Sequence, residues 1–158
     1  DAPTHIVRGK TLTEFAPQKF VGPAIVLNFV DHARGLLTRA DIEPYLDRIQ
    51  PGDMVLIHSG GDRYWKTPAY LKGWCYPDVE ATRALIDRQI SIIGFDGPSA
   101  DSMDPLEMTQ HQLLLEREIL IVENLTNLQQ LPERVLLVIG ALPVQHANGA
   151  PARVFALF

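Results

Sequence analysis

Four short apolar runs limit what this chain can fold into: "AIVLNFV" (24–30), "DMVLIH" (53–58), "ISIIGF" (90–95) and "ILIVENL" (119–125). Each is rich in Ile, Val and Leu and is shorter than an ordinary helix. Glycine, proline or aspartate breaks the chain near most of them, so each reads as a buried strand. Two more runs, "RVLLVIGAL" (134–142) and "ARVFALF" (152–158), close the sequence as strands. Only a short connection separates them, which leaves room for antiparallel pairing.

The stretches between the runs carry helical signals. "LTRADIEPYLDRI" (37–49) offers Thr38 as an N-cap with Asp41 three positions on, and Pro44 is expected in the first turn. "DVEATRALIDRQ" (78–89) starts on Asp78, another N-cap, with Glu80 in its first turn. "DPLEMTQHQLLLE" (104–116) is also read as helical. "GDRYWKTPAYLKGWCYP" (61–77) holds both tryptophans and three of the four tyrosines without a clean period. It reads as a long loop with room for one helical turn, and long loops in compact domains often serve function. Strand and helix thus alternate until a strand-rich end. The expectation is an α/β fold, a single compact domain with a mixed central β-sheet and flanking helices.

Charge and cysteine content exclude several classes. With 14 basic and 19 acidic side chains the net charge is −5 and no basic block stands out, which argues against a nucleic-acid partner. Cys75 is the single cysteine, so neither an intrachain disulfide nor a CxxC metal knuckle can form. No apolar run approaches the roughly 18–20 residues that span a bilayer, so no membrane partner is expected. A cytoplasmic location is the expectation.

The polar residues suggest chemistry. Asp1 and His5 are four apart, and Pro3 favours an extended segment that would bring carboxylate and imidazole to one side. His111, in the third helix, and Glu123, which interrupts an apolar strand, form a second pair. A carboxylate at a buried strand end is costly unless paired, hydrogen-bonded or metal-bound, and spacing alone leaves those options open. The acidic run "GFDGPSADSMD" (94–104) reads either as a turn capped by its own side chains or as a metal loop. Its Ser99 does not sit in a G-x-S-x-G elbow, which argues against a serine hydrolase.

"DAPTH" (1–5), "VGPAIVLNF" (21–29), "IQPGDMVLIHSG" (49–60), "IIGFDGPSAD" (92–101), "HQLLLEREILIVENLTNLQQL" (111–131) and "NGAPARVFAL" (148–157) follow one another in an order that resembles a known family. It is the cyclase family of metal-dependent hydrolases, which includes kynurenine formamidases and isatin hydrolases. The resemblance covers essentially the whole chain. It implies that residues 1–158 are one cyclase-like metal-dependent hydrolase domain, truncated at its N-terminus. "DAPTH" matches only the tail of the family motif H-x-G-T-H-x-D-x-P-x-H, whose two leading histidines would fall six and two positions before Asp1.

Residue by residue, the resemblance implies that Asp1, His111 and Glu123 bind metal and that His5 moves the proton. A divalent cofactor is expected, Zn2+ first and Mn2+ next. The implied reaction is hydrolysis of an amide, lactam or related C–N bond in a small substrate, aromatic ones included, by metal-activated water. The implied assembly is a homodimer or homotetramer. Trp65 and Trp74 in the aromatic loop are candidates for walling the substrate. The alternative is a non-catalytic binding or assembly domain that keeps the cyclase fold without a complete metal site, since tight binding needs three or four ligands.

Overall fold

The computed structural model describes residues 1–33, 35–72, 74–103 and 108–158. Each apolar run forms a strand: β1 (Val21–Asn28), β3 (Met54–His58), β5 (Ile92–Phe95), β6 (Leu120–Val122), β7 (Arg134–Ala141) and β8 (Ala152–Leu157). They make one sheet in the order β6-β5-β3-β1-β7-β8. The first four are mutually parallel, whereas β7 runs antiparallel to β1 and β8 antiparallel to β7. The sheet is therefore mixed, as the strand-rich end of the sequence suggests. A small parallel pair, β2 (Gly35–Leu37) and β4 (Cys75–Pro77), lies apart from it.

The helices are α1 (Arg39–Leu46), α2 (Val79–Asp87) and α3 (Thr109–Leu115). The start of α1 is fixed by Asp41, whose carboxylate accepts from both the N–H and the hydroxyl of Thr38. Asp78 caps α2 by accepting from the Ala81 N–H at 2.7 Å. Pro44 falls inside α1 rather than in its first turn, where it forgoes a backbone hydrogen bond, and the helix closes two residues later. The helical reading of 104–107 lies outside the described residues. No helix among the described residues is long and apolar enough to cross a membrane.

The two faces of the sheet differ. On one, Ile25, Leu27, Val55, Ile57, Ile93, Phe95 and Ile121 pack under side chains of all three helices. On the other, Ala24, Met54, Leu56, Ile92 and Leu120 meet loop residues such as Leu125 and Leu128. That second face is covered only in part, and an open trough of about 710 Å3 runs along it. β8 is the least covered element: Phe155 and Leu157 on one side and Phe158 beyond its end are all exposed.

Candidate metal centre

His111 sits in the first turn of α3, almost fully buried. Buried Asp101 sets its orientation. One oxygen of that carboxylate accepts from the Gln110 N–H at 2.7 Å. The other accepts from the His111 N–H at 2.9 Å and lies 2.6 Å from its Nδ1. A carboxylate only accepts, so the ring proton belongs on Nδ1 and the neutral ring keeps a lone pair on Nε2. That Nε2 points at two carboxylates, Glu123 at 3.4 Å and Asp1 at 3.6 Å. Burial acts to lower the pKa of His111, but the hydrogen bonds and charges of Asp101 and Glu123 outweigh it and leave it raised.

Glu123 follows the last residue of β6 directly, at the carboxyl end of the parallel strands. Asp1 is brought to it by backbone pairing: its nitrogen donates to the Ile121 carbonyl at 2.5 Å, and the Ile121 N–H donates back at 3.3 Å. Ala2 donates to the Asn148 carbonyl at 2.7 Å, which seats the segment between β6 and the loop before β8. Gly149 leaves room there, because a Cβ would stand 2.8 Å from a carboxylate oxygen of Asp1 and push that side chain aside.

His5 closes the group from the solvent side. The expected extended run from Asp1 to His5 stops at Ala2; Pro3–His5 is a 3-10 turn. Proline's fixed φ suits a first helical position as well as an extended one, and here the turn wins. It carries His5 Nε2 to 3.9 Å from the Asp1 carboxylate, with its ring centroid 5.8 Å from that of His111. Desolvation first, and then the neighbouring His111, lowers the pKa of His5.

Residues 1, 5, 111 and 123 thus converge. One ligand atom each from Asp1, His5 and His111 lies within 4.8 Å of the others. Carboxylate oxygens facing an imidazole whose far nitrogen is held by a second carboxylate form a donor set that suits a divalent first-row cation. The cluster opens onto the trough, whose lining includes Asp1 and Glu123 beside Leu56, Ile92 and Leu120.

The described aspartates of the acidic run, Asp96 and Asp101, are spent on donors of the chain itself, and Asp104 lies outside the described residues. Asp96 accepts from the Ser59 N–H, the Ser59 hydroxyl and the Gly60 N–H, at 2.9, 2.6 and 2.7 Å. Asp101 was not singled out by spacing, since an acid ten positions before a histidine carries no periodic signal. Trp74 is buried, its indole N–H donates to the Ser99 carbonyl at 2.8 Å, and it fills the space beside Gly97. Trp65 is half exposed and stands edge-on to Tyr70 at 5.0 Å between centroids. Neither tryptophan lines the trough.

Comparison with known proteins places this architecture. Residues 1–102 match the family described as "Putative cyclase". A kynurenine formamidase from Salinibacter ruber is 29% identical over 157 residues, covering 97% of this chain and 71% of the relative. A solved structure described as a "Potential Metal-Dependent Hydrolase With Cyclase Activity" superposes with a TM-score of 0.85 at 28% identity, over 99% of this chain and 75% of that one. Isatin hydrolase A from Ralstonia solanacearum also gives 0.85, at 26% identity, over 99% and 69%. The fold is that of these proteins. With the family matched over most of its length, the chain belongs to the cyclase family.

Proposed function

We propose that this chain, read as one domain over 1–158, is a metal-dependent hydrolase that cleaves an amide or lactam C–N bond in a small aromatic substrate. The observation that carries the reading is the His111 Nε2 directed at the carboxylates of Glu123 and Asp1, with Asp101 behind the ring. Related proteins named kynurenine formamidase and isatin hydrolase support the reaction class. Asp1, His111 and Glu123 hold the ion, Zn2+ in preference to Mn2+, because an imidazole among the ligands suits zinc. A bound divalent ion would polarise the scissile carbonyl and acidify a water molecule toward neutral pH.

The remaining work belongs to the chain's own groups. His5 Nε2 takes the proton from water and returns it to the leaving nitrogen; its lowered pKa keeps it neutral and ready to accept. Asp101 holds the proton on His111 Nδ1, which leaves the Nε2 lone pair free to be a ligand. The trough floor of Leu56, Ile92 and Leu120 suits the ring of an aromatic substrate, and Arg153 in its wall suits a carboxylate released by hydrolysis.

The test is metal content by elemental analysis together with hydrolysis of an N-formyl anilide and of isatin. Wild type should carry stoichiometric zinc or manganese, and His111→Ala and Glu123→Ala should lose both metal and turnover. Protein that folds and binds no divalent ion in any form overturns the reading. A second reading, a non-catalytic assembly domain, is favoured by one observation: Phe155, Leu157 and Phe158 leave β8 apolar and exposed. A homodimer or homotetramer formed by metal-free protein without turnover would select it.

A further inference from the structure

Glu123 stands at a weak point of the fold. Strand β6 is three residues long and lies at one end of the sheet order, and such ends open readily. A ligand carboxylate has to be held within about 0.5 Å of its working position. Beyond Glu123 the chain passes through Asn124 and Asn127, both left-handed at φ 60° and 65°. Asparagine tolerates that region better than most residues, but a loop needing it twice persists only where its surroundings fix it.

The surroundings are specific. From behind, the Asn124 N–H donates to the Gly97 carbonyl and the Leu125 N–H to the Phe95 carbonyl, each at 2.9 Å. From the front, two side chains of the aromatic segment reach across. The hydroxyl of buried Tyr70 donates to Asn124 Oδ1 at 2.6 Å. One carboxylate oxygen of Asp62 accepts from the Thr126 hydroxyl at 3.0 Å and from the Asn127 N–H at 3.2 Å. These bonds bridge 54, 64 and 65 residues of sequence, so they are not local turn contacts. Burial, with Asp96, Glu123 and Asp62 nearby, lifts the phenol pKa to about 12, which keeps Tyr70 a donor.

We infer that Tyr70 and Asp62 are positioning residues for Glu123: together they clamp residues 124–127 and fix where the Glu123 carboxylate stands. The aromatic segment then serves the site through its hold on this loop, independently of any contact with substrate. The inference rests on the assignment of Glu123 as a ligand of a divalent cation.

The test is Mn2+ affinity, read by electron paramagnetic resonance, and amide hydrogen exchange over 124–127, for wild type, Tyr70→Phe, Asp62→Ala, Glu123→Gln and Tyr45→Phe. Tyr70→Phe should weaken Mn2+ about tenfold and speed exchange in the loop. Asp62→Ala, which removes the acceptor for residues 126 and 127, should do the same and answers the question if Tyr70→Phe folds poorly. Tyr45→Phe also loses one side-chain hydrogen bond, the 2.8 Å bond to the Asn28 carbonyl at the end of β1, three strands from β6, so it should lower stability and leave Mn2+ affinity unchanged. Unchanged affinity in Tyr70→Phe and Asp62→Ala, with affinity lost in Glu123→Gln, overturns the clamp and spares the ligand assignment. Equal weakening by Tyr45→Phe also overturns it, by showing a general loss of structure. Wild-type affinity in Glu123→Gln overturns the ligand assignment and the clamp with it.

Discussion

The rings of His111 and His5 are 5.8 Å apart, yet they belong to different kinds of structure. His111 is buried in the first turn of α3, with its backbone and its ring both bound to Asp101 and the neighbouring Gln110 tied to Thr82 at 3.1 Å. His5 ends a three-residue 3-10 turn, a third of its side chain is open to solvent, and its nearest carboxylate stands 3.9 Å away. One imidazole is held by hydrogen bonds, and the other stands partly in solvent beyond hydrogen-bond reach of its carboxylate. The proposed division of labour, His111 as ligand and His5 as proton carrier, fits that contrast, since ligation rewards rigidity while proton transfer needs a ring that reaches two partners in turn.

Stability measurements can break this contrast. Asp101→Ala should have the largest effect, about 3 kcal/mol in urea unfolding, because a buried histidine and two N–H donors lose their acceptor together. A loss below about 1 kcal/mol would mean that the His111 wall is no firmer than the turn. Thr82→Val removes a single buried hydrogen bond one layer further back. It should cost about 1 kcal/mol, and no change would place the boundary of the rigid region in front of Gln110. On the mobile side, Lys10→Met cuts the exposed 2.8 Å pair with Glu118 that ties the first segment to the chain after α3. A thermal shift equivalent to about 0.5 kcal/mol is expected, and less in high salt. His5→Asn should be smallest, within about 0.5 kcal/mol, while turnover falls by about 100-fold or more. A large stability loss there would show that His5 is as structural as His111.

Most of the sheet was legible in the sequence because its parallel strands β1, β3, β5 and β6 are largely buried on both faces and so read as unbroken apolar runs. The pair β2–β4 was not, since three residues such as Gly35–Leu37 are too few to show any period. The turn at Pro3 was misread as extended because proline restricts φ and leaves ψ open. Within the candidate site, Asp1 with His5 and His111 with Glu123 stand out as two pairs of chemically matched residues. That the pairs meet follows from Asp1 lying beside Ile121, a contact no local spacing announces. The partners of Asp101 and Tyr70 stayed hidden for the same reason: each bond spans a gap that only the folded chain closes.

That closure also has a kinetic side. Val21 pairs with Val138, and Asp1 bridges to Ile121 across 120 residues. Contacts so distant in sequence place the chain among the slow folders, on the millisecond-to-second scale. On a ribosome adding about 5–20 residues per second, Asp1 waits on the order of ten seconds before Glu123 exists to meet it. The centre is therefore assembled last. An ion held there as proposed would come too late to template the early steps; it would lock a sheet that has already found its order, and its benefit should be felt as slower unfolding more than as faster folding.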